Sequence, residues 1–81
     1  MKARVFVTLK PSVFDPQGQT IADALHSMGY TGIGDVRQGK YFELTLNGGL
    51  DKAAAQQEVE RIARDVLTNP VIEEFSYKLE D

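Results

Sequence analysis

The chain has no cysteine, a single histidine and no excess of basic residues. Without cysteine, neither a disulfide nor a thiolate-bound metal can supplement a small core, so burial against a second copy is expected and an oligomer is favoured over a lone monomer. His26 has no cysteine to join it, and catalysis or metal binding requires convergent partners, so it reads as a surface or boundary histidine. A net charge of −3 with both signs interspersed offers no basic stripe able to displace counterions from phosphates. Nucleic acid is thereby excluded as an expected partner. No segment approaches the roughly 20 consecutive apolar residues of a membrane span, and Met1 to Lys10 alternates polar with apolar instead of forming a leader-like run. No membrane partner and a cytoplasmic location are expected.

What is present suits one folded unit. The 81 residues, 42% hydrophobic and 26% charged, suffice for a single core, and residues 1–81 are read as one domain. Lys2 to Lys10 places Ala3, Val5, Val7 and Leu9 on one face and Arg4, Phe6, Thr8 and Lys10 on the other, the alternation of a half-buried strand. Pro11 ends it. Asp15 followed by Pro16 reads as a helix N-cap with proline at the first helical position. The helix carries Ile21, Leu25 and Met28 at i, i+4 and i+7, with Gly29 placed to stop it. Asp35 to Gln38 and Lys40 to Leu46 are predicted as two strands bent at Gly39, with Phe42, Leu44 and Leu46 facing the core. After the Asn47-Gly48-Gly49 turn, a helix from about Asp51 to Leu67 aligns Ala55, Val59, Ile62, Ala63, Val66 and Leu67 on one stripe. A last strand from about Val71 to Leu79 follows Asn69-Pro70, with Phe75, Tyr77 and Leu79 on one face.

The order is β-α-β-β-α-β. It predicts an α+β, ferredoxin-like sandwich: a four-stranded antiparallel sheet with two helices on one face. The other face is left open and carries Arg4, Phe6, Thr8, Tyr41, Glu43 and Thr45. Single surface aromatics are ordinary, but aromatics are enriched at interfaces, which makes Phe6 and Tyr41 the candidate oligomer contact.

Motifs for chemistry fail on context. Gly34, Gly39 and Lys40 match the skeleton of a phosphate loop, yet Tyr41 follows where Ser or Thr and a helix are needed. The stretch Lys40-Tyr41-Phe42-Glu43-Leu44-Thr45 carries an acid and one outward aromatic, a poor fit to RNA recognition. Pro11-Ser12-Val13-Phe14-Asp15 lacks the arginine of an acylphosphatase-like anion loop. Asp15 and Asp51 have capping roles, and Asp35, Glu73 and Glu74 fall in turns and strand ends. No catalytic, metal or cofactor residue is assigned.

Val5-Phe6-Val7-Thr8-Leu9-Lys10-Pro11, then Asp15-Pro16-Gln17-Gly18, Ala24-Leu25-His26, Asp35-Val36-Arg37, Gly39-Lys40-Tyr41 and Asn69-Pro70-Val71-Ile72-Glu73 together resemble the PurS family. The resemblance covers nearly the whole chain. It implies the small subunit of phosphoribosylformylglycinamidine synthase, non-catalytic itself, which bridges a glutaminase (PurQ) and a synthetase (PurL) and assists ammonia transfer. It further implies a homodimer or tetramer, with ATP and magnesium in the synthetase and no cofactor in this chain. The Lys10 to Gly18 turn is then the candidate docking segment, through Lys10, Asp15, Gln17 and Gly18. Of these, Lys10 and Gln17 are the residues that strand ending and helix capping leave free. The competing reading is a ferredoxin-like regulatory module that binds an amino acid or other small ligand at a dimer seam, with Gly29 to Gly34 as the nearest loop.

Overall fold

The computed structural model describes residues 1–49 and 51–80; Leu50 and Asp81 lie outside the described residues. In chain order come β1 (Lys2–Leu9), α1 (Pro16–Ser27), β2 (Gly39–Thr45), α2 (Lys52–Ile62), a π-helical turn (Ala63–Leu67) and β3 (Glu73–Glu80). The strands form one antiparallel sheet in the order β2-β1-β3. Alternation in β1 does what period 2 requires. Ala3, Val5 and Val7 are fully buried, and Val5 lies opposite Phe42 on one side and Tyr77 on the other.

One helix covers that face. Asp51 caps α2, its Oδ1 accepting the Ala54 N–H at 2.7 Å, and the Val59 and Ala63 side chains close over the three β1 residues. Ala55 is buried on the same stripe, but Val66 is 74% exposed. The π-helical turn accounts for this departure from the expected stripe. Its i→i+5 pattern rotates each residue less than an α-helix does, which keeps Leu67 against the core and turns Val66 outward.

Two expectations are corrected. Among the described residues the sheet has three strands, not four, because Asp35 to Gln38 joins no ladder. Its polar groups are spent elsewhere: the Gln38 N–H is held by the Asp15 carboxylate at 2.8 Å, and Arg37 reaches back to carbonyls of the turn after β1. Gly39 is likewise no hairpin bend; it opens β2, opposite Thr8. The second correction is that two helices do not share one face. Among the described residues only α2 and the π-helical turn that continues it contribute helical side chains to the core cluster.

The polypeptide leaves the end of β1, runs out along α1 and returns to the same end of the sheet at Gly39, so β2 lies antiparallel to β1. That excursion is an arm. The radius of gyration is 16.2 Å and the molecule measures 52 × 26 × 14 Å, where a compact chain of this length would have a radius of about 12 Å.

The arm is set by its root. Asp15 is the N-cap of α1, with Pro16 in the first turn, and Gly29, at φ 94°, follows the Met28 C-cap. At Gly18 the helix presses on the returning segment: an added Cβ would collide with the Val36 carbonyl oxygen and lie 2.8 Å from Asp15 Oδ2. Both obstacles are held in place, one as backbone and one as a bonded carboxylate. Gly18→Ala should therefore cost about 1–3 kcal/mol in denaturant unfolding, the range for overpacking. Gly32→Ala, with open space around the new methyl, should stay within about 0.5 kcal/mol of the parent.

Candidate assembly interface

The Lys10 to Gly18 turn splits into an inward and an outward half. Asp15 is buried. Its Oδ1 accepts the Gly18 N–H at 2.9 Å and its Oδ2 accepts the Gln38 N–H at 2.8 Å, so one carboxylate fastens the start of α1 to the end of the returning segment. Those two N–H groups, helped by the nearby Arg37 charge, hold the Asp15 carboxyl below its usual range against the opposing pull of burial. Arg37 reinforces the same junction. Its Nη2 donates to the carbonyls of Lys10 at 2.9 Å and of Leu9 and Val13 at 3.2 Å.

The outward half is Lys10 and Gln17. The Lys10 backbone N–H extends the β1–β3 pairing to the Ile72 carbonyl at 2.9 Å, while its ammonium makes no ion pair among the described residues. Gln17 is exposed and lines a depression of about 250 Å³ with Asp15, Gln38, Gly39, Lys40 and Glu73. Lys10 is not part of that lining, so the turn's two outward residues do not converge on one pocket. Lys40 and Glu73 close the end of the sheet that α2 leaves bare. They pair across β1 at 3.3 Å, and Glu73 Oε1 also accepts the Asn69 N–H at 2.8 Å.

On the open sheet face Phe6 and Tyr41 sit directly opposite each other, ring centroids 5.3 Å apart and tilted by 36°. They remain 39% and 48% exposed. Arg4 Nη1 donates to the Tyr41 hydroxyl at 2.6 Å while its Nε contacts Glu80 at 2.9 Å, which fixes both the ring and the guanidinium. Lys2 and Glu43 pair beside them at 2.6 Å. The same face was expected from alternation; the Arg4–Tyr41–Glu80 chain was not, since it depends on the register among three strands.

A third surface was not anticipated. Along α1 only Gly18 and Ala22 are buried, while Ile21 is 40% and Met28 71% exposed, and Tyr30 and Ile33 continue the apolar strip. The helical spacing of Ile21, Leu25 and Met28 announced an apolar face, but not that its cover would be missing. His26 has a structural role: its Nε2 meets the Ile33 carbonyl at 2.6 Å and ties the helix end to the loop. Among the described residues no group of three or more acidic, histidine or cysteine side chains is arranged to hold a metal ion, and no helix is long and apolar enough to cross a membrane.

These surfaces belong to a small, elongated α+β domain whose arm and open sheet face expose apolar side chains. A family profile for PurS, described as phosphoribosylformylglycinamidine (FGAM) synthase, matches residues 2–81. The PurS subunit of FGAM synthase from Mycobacterium leprae is 47% identical over 75 residues, 93% of this chain and 90% of the relative. The solved PurS of Bacillus subtilis is 43% identical and superposes with a TM-score of 0.84 over 99% of this chain and 98% of that one. A chain of the Thermotoga maritima PurLQS structure matches at 25% identity and a TM-score of 0.76, covering 95% of this chain and 93% of its own. The chain belongs to the PurS family, the subunits of FGAM synthase of that name.

Acid should loosen the root of the arm. Because the folded Asp15 carboxyl titrates below its unfolded value, its contribution is complete above the unfolded pKa of about 3.9 and is lost as pH falls from there through the folded value. Asp15→Asn should therefore lower the urea midpoint at pH 7, and the gap between parent and variant should shrink as the titration is repeated from pH 5 down to pH 3. A gap that stays constant across those conditions would contradict the clamp.

Proposed function

We propose that this chain is the non-catalytic bridging subunit of FGAM synthase, a single PurS-like domain working with a PurL-like synthetase and a PurQ-like glutaminase. In this reading it assists ammonia transfer during the ATP- and glutamine-dependent conversion of formylglycinamide ribonucleotide to formylglycinamidine ribonucleotide in the cytoplasm. ATP and magnesium belong to the synthetase. The observation that carries the reading is the arm, because a chain in this family that leaves an apolar helix uncovered is built for association. Likeness to a chain of the Thermotoga maritima PurLQS structure supports the choice of partners.

Self-association comes first in the proposal. Tyr77 donates to Glu60 at 2.6 Å and draws α2 toward β3, which leaves Phe42 and Leu44 of β2, and Leu46 just beyond it, only half-buried. An α1 from a second copy fits that gap, taking the place that the ferredoxin-like arrangement gives to a second helix on the sheet. Reciprocal exchange of two arms buries both apolar strips and makes a homodimer. The Lys10 and Gln17 side chains stay at the dimer surface for docking to a catalytic subunit, while Asp15 and Gly18 shape the turn that presents them.

A small-ligand regulatory module is the weaker reading. The depression beside Gln17 is its best support, but the Asp15 carboxylate is occupied by two N–H groups and the Lys40 ammonium by Glu73. Little polar capacity is left there to recognise a ligand.

Reconstitution with the two catalytic subunits decides the matter. Glutamine-dependent product formation should require this chain, and Lys10→Ala with Gln17→Ala should weaken complex formation or ammonia transfer while circular dichroism and the unfolding midpoint stay unchanged. Binding of free glutamine or nucleotide by the isolated chain, without co-purification of synthetase and glutaminase, would overturn the assignment. For the arm, Ile21→Glu with Met28→Glu should convert the dimer to monomer by sedimentation equilibrium.

A further inference from the structure

Asn47-Gly48-Gly49 carries the chain from the end of β2 toward the Asp51 cap of α2. Its start is tied down where the Leu46 N–H donates to the Met1 carbonyl at 2.9 Å, at the opposite end of the sheet from the Lys10 to Gly18 turn. Beyond that bond the turn faces solvent, with Asn47, Gly48 and Gly49 all exposed. Among the described residues no hydrogen bond restrains the Asn47 carboxamide or the Gly48 N–H. Apart from its chain neighbours, Gly48 has no heavy atom within 4 Å of the place a Cβ would take. The side-chain amide and the main-chain nitrogen that follows it are therefore free to meet.

We propose that Asn47 is a site of spontaneous covalent modification, deamidating with water as the only co-reactant. The Gly48 main-chain nitrogen, on losing its proton, attacks Asn47 Cγ. The new N–Cγ bond closes a five-membered succinimide, and the Cγ–Nδ2 bond breaks to release ammonia. Water then opens the ring with no change of oxidation state. Addition at Cγ breaks the new bond and leaves aspartate. Addition at the Asn47 main-chain carbonyl carbon breaks the original peptide bond instead and leaves isoaspartate, with the chain rerouted through Cβ and Cγ. Either product adds a carboxylate, taking the net charge from −3 to −4, and the isoaspartyl form also lengthens the segment that leads into α2 by a methylene.

The fold makes the reaction selective. Glycine leaves the attacking nitrogen unshielded and the turn free to rotate. The chain's other asparagine, Asn69, precedes Pro70, whose nitrogen has no proton to lose, and its Oδ1 accepts the Val71 N–H at 3.1 Å. Gln17 and Gln38 also precede glycines, but closure there needs a six-membered ring, and the Gly18 N–H is already committed to Asp15 at 2.9 Å. A turn with no bond to break opens at almost no free-energy cost, so Asn47 in the folded chain reacts as it would in an unfolded one.

Ageing the full-length protein in mildly alkaline buffer tests this. Isoelectric focusing should show an acidic species that grows faster as hydroxide rises, and peptide mass mapping should place OH for NH2 at residue 47, with Asn69, Gln17 and Gln38 intact. The isoaspartyl fraction should accept a methyl group from S-adenosylmethionine in the presence of an isoaspartyl methyltransferase. Gly48→Ala, whose methyl meets open space, should slow the change severalfold, and Asn47→Gln should lose it over the same period. The rate in the folded protein should match that of an unstructured peptide of residues 43–52. A folded rate more than about tenfold below the peptide's, the mark of a turn that must first be opened, would overturn the proposal. An acidic shift that maps to another amide, or that persists in Asn47→Gln, would overturn it as well.

Discussion

The Asp15 carboxylate is the constraint on which the shape of this molecule depends. Its two oxygens accept N–H groups from the first turn of α1 and from Gln38, residues that are 20 positions apart in sequence yet meet at one buried point. A buried carboxylate must have such donors, because an unpaired charge there would be expelled or neutralised. Satisfying it fixes where α1 begins and where the returning segment ends. Arg37 tightens the joint through three carbonyls, one at the end of β1 and two in the turn after it. Gly18, with no side chain, allows helix and return segment to touch. From that junction α1 can only run outward, past the end of the sheet.

An arm directed away from the sheet leaves the core half finished. The fully buried side chains are alanines and valines, while Phe42, Leu44, Phe75, Tyr77 and Leu79 only flank them. A single helix is too narrow to cover three strands, and this one is drawn toward β3 by the Tyr77–Glu60 bond. Hydrophobic burial is proportional to area removed from water, so a chain that stops short of closing its own core retains that driving force for association. The absence of cysteine and the small size of the chain act in the same direction. The proposed bridging role would give this incompleteness a purpose, since a bridging subunit is useful through the surfaces it leaves available.

Much of the fold was legible because period and capping act locally. Alternation placed Ala3, Val5 and Val7 inside and Phe6 and Tyr41 outside; Asp15-Pro16 and Asp51 marked both helix starts, and Gly29 the first helix end. The fourth strand was misread for a reason that local pattern cannot reveal. Asp35-Val36-Arg37-Gln38 is compatible with extended backbone, but a strand needs a neighbour, and here the Gln38 N–H and the Arg37 side chain are committed to distant partners. Val66 was misplaced because the spacing assumed 3.6 residues per turn where the helix widens into a π-turn. Of the candidate docking residues, Lys10 and Gln17 were recognised as free of capping duties, whereas the clamp formed by Asp15 with Gln38 joins residues too far apart for any motif to connect.

By itself, then, the sequence determined the starts of both helices, the inward and outward faces of the three strands observed, and the family. Hydrogen bonding and side-chain periodicity act over a few residues and leave their trace in the order of the letters. Tertiary structure alone decided that α1 stands away from the sheet and that, among the described residues, the sheet has three strands. Those outcomes depend on which distant groups satisfy the Asp15 carboxylate and on the register of three strands. Both are set by closure of the whole chain, where a single buried charge and its donors outweigh the preferences of any local segment.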